Sequence, residues 1–388
     1  MGEYNNTTEI MMKVSCLQEN LAKGLSIVGR AVSTRSTLPV LANVLLATDN
    51  GRLKLSATNL EISVTCWIGA KVEEEGSITV PARTFNDLVS TLPQETVELL
   101  LDPNTLTLHL ASSRSEANIK GIDAQEFPLI PEPDQQNRLR LEANTLKQMI
   151  NQVAFAAATD DARPTLTGVL TRFAGEKLTM AATDGFRLSV RSADLPRHME
   201  DNFEVVIPAR ALMEVARIAD ADLEEISISM REGRNQIIFD LENVILVSQL
   251  IEGNFPDFSP VIPQKHVTRA VMNTAEFQKA CKMAEIFARD ANQTARVRVE
   301  PGNELMPAYA VISATSEETG DNVAQIDASV DGDKIEIAFN VRYMTQVLNV
   351  LNTPQVALET TRASEPGVIK PVGSDEFVHI IMPMHFGR

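Results

Sequence analysis

Apolar positions along the chain alternate between two spacings. Runs with a period of two, such as Arg52-Leu-Lys-Leu-Ser-Ala and Glu224-Glu-Ile-Ser-Ile-Ser-Met, predict half-buried strands. Stretches with helical spacing, at about 17–32, 144–158 and 274–289, predict amphipathic helices. A strand running straight into a helix is written three times. Ile78-Thr-Val-Pro-Ala-Arg-Thr-Phe-Asn-Asp-Leu-Val returns as Val205-Val-Ile-Pro-Ala-Arg-Ala-Leu-Met-Glu-Val-Ala, with Pro81 and Pro208 lying 127 residues apart. A weaker third copy is Ile337-Ala-Phe-Asn-Val-Arg-Tyr-Met-Thr-Gln-Val-Leu, with Asn340 in the proline place. Proline there is expected in the first helical turn, where its missing N–H costs nothing.

Other marks keep the interval. Ser56-Ala-Thr-Asn returns as Ala181-Ala-Thr-Asp and Ser313-Ala-Thr-Ser, and Glu126-Phe-Pro returns as Asn254-Phe-Pro. The proline-rich stretches 127–134 and 255–263 read as linkers. A repeat this long is a whole domain, not a solenoid unit. The expected fold is α+β: a polar leader over 1–11, then three similar domains at 12–133, 134–263 and 264–388, each with two helices packed on β-sheets.

Charge alters the picture less than its placement does. The total is −17, which argues against a protein that simply coats nucleic acid. Six helix-bearing windows (15–35, 81–92, 142–163, 208–219, 274–290 and 340–351) sum to +3, leaving −20 for the remainder. Lys23 and Arg30, Arg210 and Arg217, and Lys282 and Arg289 are each seven residues apart, so each pair shares a helix face. In the last helix Arg342, Thr345, Gln346 and Asn349 are expected opposite the buried stripe. One Trp and three Tyr make an aromatic base-stacking surface unfavourable.

The chemistry of catalysis is missing. No phosphate-binding glycine loop, dinucleotide fingerprint, His-Glu-x-x-His or Cys-x-x-Cys occurs, and the five histidines lack metal-ligand spacing. Asp160, Asp161 and Asp184 could be imagined in a metal-dependent nuclease, but an Asp held in a turn by its own hydrogen bonds is the plainer reading of Asp184. Three scattered cysteines suggest reduced thiols in a cytoplasmic protein, and the opening residues are no signal peptide. No catalytic residue, metal site or cofactor is expected.

From Met12 to Phe386 the chain resembles the bacterial DNA polymerase III β subunit family, the replication sliding clamps. The likeness rests on Met12-Lys-Val, Thr37-Leu-Pro-Val-Leu-Ala-Asn, Val80-Pro-Ala-Arg, Ala182-Thr-Asp-Gly-Phe-Arg-Leu, Gly253-Asn-Phe-Pro-Asp-Phe and Ile381-Met-Pro-Met-His. It implies a head-to-tail dimeric ring around double-stranded DNA, held without sequence preference. It also implies a nucleoid-associated, non-catalytic processivity factor with no membrane partner. Short peptide motifs of the replicative polymerase, the clamp loader and repair proteins would dock on it. An acidic scaffold that binds only proteins is the alternative.

The same resemblance implies site residues. A partner-peptide cleft would be formed by Leu166, Thr183, Gly185, Phe186, Arg187, Leu188, Pro256, Val261, Ile380, Met382, Pro383 and Met384. Pro260 stands where the family often has Arg, Phe186 replaces a frequent His, and the tail after Met384 also departs from the pattern. Arg35 and Arg163 match loop residues that meet DNA, and Lys23, Arg83 and Arg210 fall on the lining helices. Arg217, Lys279, Lys282, Arg289 and Arg342 join them by helix face. Ile286 and Phe287 match apolar contacts at the dimer interface, with Ile119 as their counterpart across the join.

Overall fold

The computed structural model describes residues 12–33, 37–134, 138–160, 162–231 and 235–385. The leader at 1–11 and Arg35 lie outside the described residues, as does Asp161. Three times the chain follows one order: a strand, a helix, a set of antiparallel strands, a second helix, and three more strands. The first helices are α1 (Gln18–Val28), α3 (Ala143–Val153) and α5 (Thr274–Ala288); the second are α2 (Ala82–Thr91), α4 (Ala209–Ile218) and α6 (Val341–Asn349). Each repeat therefore opens on a strand, Met12–Leu17, Leu139–Glu142 or Thr268–Asn273, one element before the helix that sequence spacing singles out.

The strand-to-helix copies occupy the expected joint, with one correction. Pro81 is the residue before α2, with φ −55° and ψ 112°, so it caps the helix from outside its first turn. Its ring still helps there, because it fixes φ and asks for no hydrogen-bond acceptor. Asn340 takes the same place before α6 by other means: its Oδ1 accepts from the N–H groups of Arg342 at 3.0 Å and Tyr343 at 3.4 Å. An asparagine cap satisfies donors that the helix itself cannot. Asn340→Ala is expected to cost about 1 kcal/mol of unfolding free energy, read by urea denaturation. Asn340→Asp should retain most of it.

By contact density the chain forms two compact units. One takes the residues up to Asn144 together with Arg217–Leu250; the other takes Thr145–Ala216 with Ile251 onward. The first unit holds a five-stranded sheet, built on Met12–Leu17 and ending at Ser115–Lys120, and an eight-stranded sheet. In the latter, strands Asn43–Asp49, Arg52–Thr58, Ile62–Gly69 and Ser77–Pro81 continue into Val244–Gln249, Gln236–Asp240, Glu225–Arg231 and Leu139–Glu142. The joint is the antiparallel pairing of Val244–Ser248 with Ile62–Cys66. The second unit holds a ten-stranded sheet in which Gly168–Thr183 and Arg187–Pro208 continue into Phe377–Ile381. The middle repeat thus gives strands to both large sheets.

The cores follow the periodicities. In the first unit α1 lies flat on strands Arg52–Thr58 and Ile62–Gly69 because Gly24 lets it: a Cβ there would sit 2.6 Å from Leu55 Cδ1 and 3.1 Å from Ile68 Cγ2. In the second unit Phe277, Phe339, Phe377, Met344 and Leu348 are buried between α5, α6 and the sheet. The linker residue Phe127 is buried against Val40 and Leu41, so that proline-rich stretch is pinned to the first unit. Cys16, Cys66 and Cys281 are free and buried, and burial pushes the Cys66 thiol up to about 11. Among the described residues no helix is long and apolar enough to cross a membrane.

Candidate functional site

The second unit holds all twelve cleft candidates, and several of them meet at one hairpin turn. Strands Gly168–Thr183 and Arg187–Pro208 pair in antiparallel register, and Asp184, Gly185 and Phe186 connect them. Gly185 has φ +94°, a conformation that a side chain would strain. A Cβ there would also approach Arg163 Nη1 to 2.9 Å. The next strand, Phe377–Ile381, pairs Ile380 with Leu188 and Ile381 with Arg187, and the Met382 N–H donates to the Phe186 carbonyl at 2.8 Å.

Exposure sorts the twelve cleft candidates into layers. Leu166, Leu188 and Ile380 are buried, and the last two belong to a packed cluster with Leu170, Ala181 and Val206. They are packed beneath the surface. Thr183, Pro383 and Met384 are half-buried. Gly185, Phe186, Pro256, Val261 and Met382 reach the surface, and Phe186 is the most open of the large ones at 63% exposed. An apolar surface over a packed floor, with methionines at its edge, is suited to short apolar peptide segments.

Arg187 is the buried exception, only 7% exposed. Its Nε donates to Asp184 Oδ2 at 3.0 Å, its Nη2 to the Phe155 carbonyl at 2.7 Å, and its Nη1 to Gln346 Oε1. The guanidinium lies over the Tyr343 ring at 4.3 Å and the Phe155 ring at 5.3 Å. Burial draws its pKa down, while Asp184 and Tyr343 oppose that shift. Asp184 Oδ1 meanwhile accepts from the N–H groups of Phe186 at 2.9 Å and Arg187 at 3.1 Å. The turn is therefore held rigidly from below, with Arg187 as its anchor and not as a surface charge.

Behind this anchor His379 is fully buried, stacked on Phe155 at 5.4 Å and hydrogen-bonded through Nδ1 to Ser189 Oγ at 2.6 Å. Burial, with Arg187 adding repulsion, pushes its pKa down from 6.5 to about 3. The unfolded chain thus binds one proton more than the folded chain between those values. Stability is full above pH 6.5 and falls on acidification by up to about 1.4 kcal/mol per pH unit. His379→Asn should remove that one-proton slope when unfolding free energy is measured from pH 6.5 down to about 5; an unchanged slope would refute the assignment.

The basic candidates separate into distinct situations. Arg83, Arg210 and Arg342 are each the second residue of their helices, α2, α4 and α6, and all three are exposed. A cation at a helix N-terminus opposes the macrodipole by about 0.3–1 kcal/mol. Its recurrence in all three repeats therefore needs a reason other than helix stability. Arg217, Lys279, Lys282 and Arg289 are exposed as well. Lys23 is exposed but engaged, its Nζ 2.8 Å from Asp220 Oδ2. Arg163 belongs to the cleft turn, donating through Nη2 to the Asp184 carbonyl at 2.9 Å.

Two expectations about the last helix need correction, and the interface candidates differ in exposure. Thr345 is not on an open helix face: it is 7% exposed, and its hydroxyl donates to the Val341 carbonyl at 3.0 Å. Gln346 faces inward to Arg187. Ile119 is buried within its own chain at 7% exposed, on the edge strand Ser115–Lys120, whereas Ile286 is 56% exposed and Phe287 is half-buried against the core. Of the carboxylates imagined for a nuclease, the two among the described residues are otherwise employed. Asp184 holds the turn and Asp160 accepts from the Ala162 N–H at 3.0 Å. Among the described residues no group of three His, Cys, Asp or Glu side chains could hold a metal ion.

Known proteins share this architecture over nearly all of the described chain. Profiles of the N-terminal, central and C-terminal domains of the DNA polymerase III beta subunit match residues 12–131, 140–257 and 259–385. The beta sliding clamp of Bacillus subtilis is 31% identical over 383 residues, covering 96% of this chain and 99% of that protein. That of Synechocystis is 32% identical over 394 residues, with the same coverage. The crystal structure of the B. subtilis DNA polymerase sliding clamp superposes with a TM-score of 0.90 at 30% identity, covering 97% of this chain and all of that one. A Pseudomonas aeruginosa sliding clamp bound to griselimycin superposes at 0.86 with 27% identity, covering 97% of this chain and all of that one.

Proposed function

Because the chain belongs to the DNA polymerase III beta subunit family, the beta sliding clamps, we propose that its three repeats close a ring around duplex DNA with a second copy, head to tail. The protein is a DNA sliding clamp, a processivity factor with no catalysis of its own. The observation that carries the DNA contact is the exposed arginine at the second position of α2, α4 and α6. Three cations set against their own helix dipoles make sense where an anion lies opposite them. Such contacts are sequence-independent and salt-screened, which suits a ring held by topology instead of affinity.

The cleft around Phe186 and Met382 is where polymerase, loader and repair proteins would insert short apolar motifs. Ile286, exposed on α5, with Phe287 beside it, would meet the partner copy. Two identical three-domain chains close a ring only if their head-to-tail rotation closes. The protein would work in the cytoplasm, on the nucleoid. The domain limits at 133/134 and 263/264 stay part of this reading.

The test is retention. Loaded onto nicked circular DNA by the cognate loader with ATP, the protein should stay bound and then leave rapidly when the circle is linearised. Equal dissociation from circles and linear DNA would sink the ring. A protein-only scaffold would show no retention on either.

A further inference from the structure

We infer that Asp220 is a built-in counter-charge that holds the Lys23 ammonium away from the DNA backbone and so lowers the number of phosphates each chain engages. The inference rests on the DNA-binding reading above and adds a residue that opposes it. Lys23 sits on α1 next to Gly24, the residue that lets this helix lie against its sheet, so its Cα position is fixed by packing. Asp220 lies in the turn after α4, 197 residues away in sequence but in the same compact unit. The two charged atoms meet at 2.8 Å, and Asp222 adds a second attraction to the same ammonium. Lys23 is thereby held more firmly protonated than a free lysine, through its hydrogen bond to Asp220 first.

Among the described residues Lys282 and Arg342 lack such a partner, and Arg83 has a poorer one. Arg83 is 95% exposed, and the nearby Asp87 carboxylate stands at 3.8 Å. Among the described residues no carboxylate comes within ion-pairing distance of Lys282 or Arg342. Against these three, Lys23 is bound at hydrogen-bond length. Both members of the pair are 64% exposed, so water and salt reach it and the tie is weak in absolute terms. A phosphate approaching this ammonium nonetheless meets the Asp220 carboxylate already bound to it, and that repulsion offsets much of the gain. For a protein that has to slide, one contact fewer per chain means less friction without loss of topological hold.

Salt dependence reads this directly, since each phosphate contact adds about −0.9 to the slope of log K against log salt. Binding of the full-length protein to a short fluorescein-labelled DNA duplex is followed by anisotropy over a series of NaCl concentrations. Asp220→Asn should steepen the slope by up to about 0.9 and tighten binding at low salt. Lys23→Ala in the native background should change the slope little, because that lysine is already neutralised. In the Lys23→Ala background Asp220→Asn should then do almost nothing.

Two results would overturn the proposal. If Lys23→Ala alone flattens the slope by about 0.9 while Asp220→Asn is silent, the lysine contacts phosphate regardless of Asp220. If Asp220→Asn steepens the slope equally with and without Lys23, the carboxylate only repels DNA on its own account. Arg83→Ala separates this failure from a failure of the underlying reading. It should flatten the slope if the helix faces meet DNA, and its silence together with that of the other variants would remove both. Unchanged circular dichroism and melting temperature in each variant confine the comparison to folded protein.

Discussion

Arg187→Ala is expected to lower the unfolding free energy by about 3 kcal/mol and to remove peptide binding with it. The figure is toward the lower end for breaking a buried ion pair by deleting one partner, roughly 3–5 kcal/mol. Asp184 would keep its two backbone N–H donors, which limits its own loss. The Phe155 carbonyl and the Gln346 amide would each lose a charged donor, and the Tyr343 ring its cation. Arg187→Lys should rescue little, because a lysine cannot present three divergent N–H groups in one plane. Urea denaturation with an unchanged m-value is the measurement. Stability within about 0.5 kcal/mol of the parent, the range of an ordinary surface change, would mean that the network does not hold the turn.

Phe186→Ala should do the reverse. The ring is 63% exposed in the free protein, so its removal leaves stability within about 0.5 kcal/mol. On binding, an apolar segment would cover it, and large aromatic anchors at a cleft commonly carry a major share of affinity. The expected loss is tenfold or more in Kd for a polymerase-derived peptide, about 1.4 kcal/mol, measured by calorimetry. Met382→Ala should act in the same direction with a smaller effect, since a thioether chain is more adaptable and offers less rigid surface. Undiminished affinity in both variants would place the peptide site elsewhere. The contrast expected between Arg187 and Phe186, neighbours in sequence, is that the buried one would build the site and the exposed one would meet the peptide.

What the sequence made legible followed from local rules. The strand-to-helix copies fall on α2, α4 and α6 because hydrophobic spacing and a capping residue are both local properties. Even there the cap was displaced by one residue, since a proline suits the place just before a helix as well as the first turn inside it. The cleft residues arrived through family resemblance, and the structure sorted them by depth, which resemblance does not encode. Leu188 and Phe186 look alike as apolar cleft residues, yet strand alternation and the turn send one to the floor and the other to the surface.

The partners of the charged groups were the least visible. Gln346 meets Arg187 across 159 residues and Asp220 meets Lys23 across 197, and no spacing rule reaches that far. Asp184 was within reach: an Asp three residues before an Arg, with a glycine between them, is the pattern of a side chain that caps its own turn. A hydroxyl counts as polar in a helical pattern, which points Thr345 outward, but on a helix it can satisfy itself on the carbonyl four residues back and be buried.

The division of the middle repeat's strands between two large sheets bears on how the chain could be cut. Three repeats suggest three interchangeable pieces, yet the hydrogen-bond ladders cross both repeat joints, at Val244–Ser248 with Ile62–Cys66 and at Arg187–Arg191 with Phe377–Ile381. Excising any one repeat would strip a row of N–H and C=O groups from their partners and leave raw strand edges in water. Such edges pair with whatever strand they meet, so isolated repeats of this protein should aggregate where the whole chain does not.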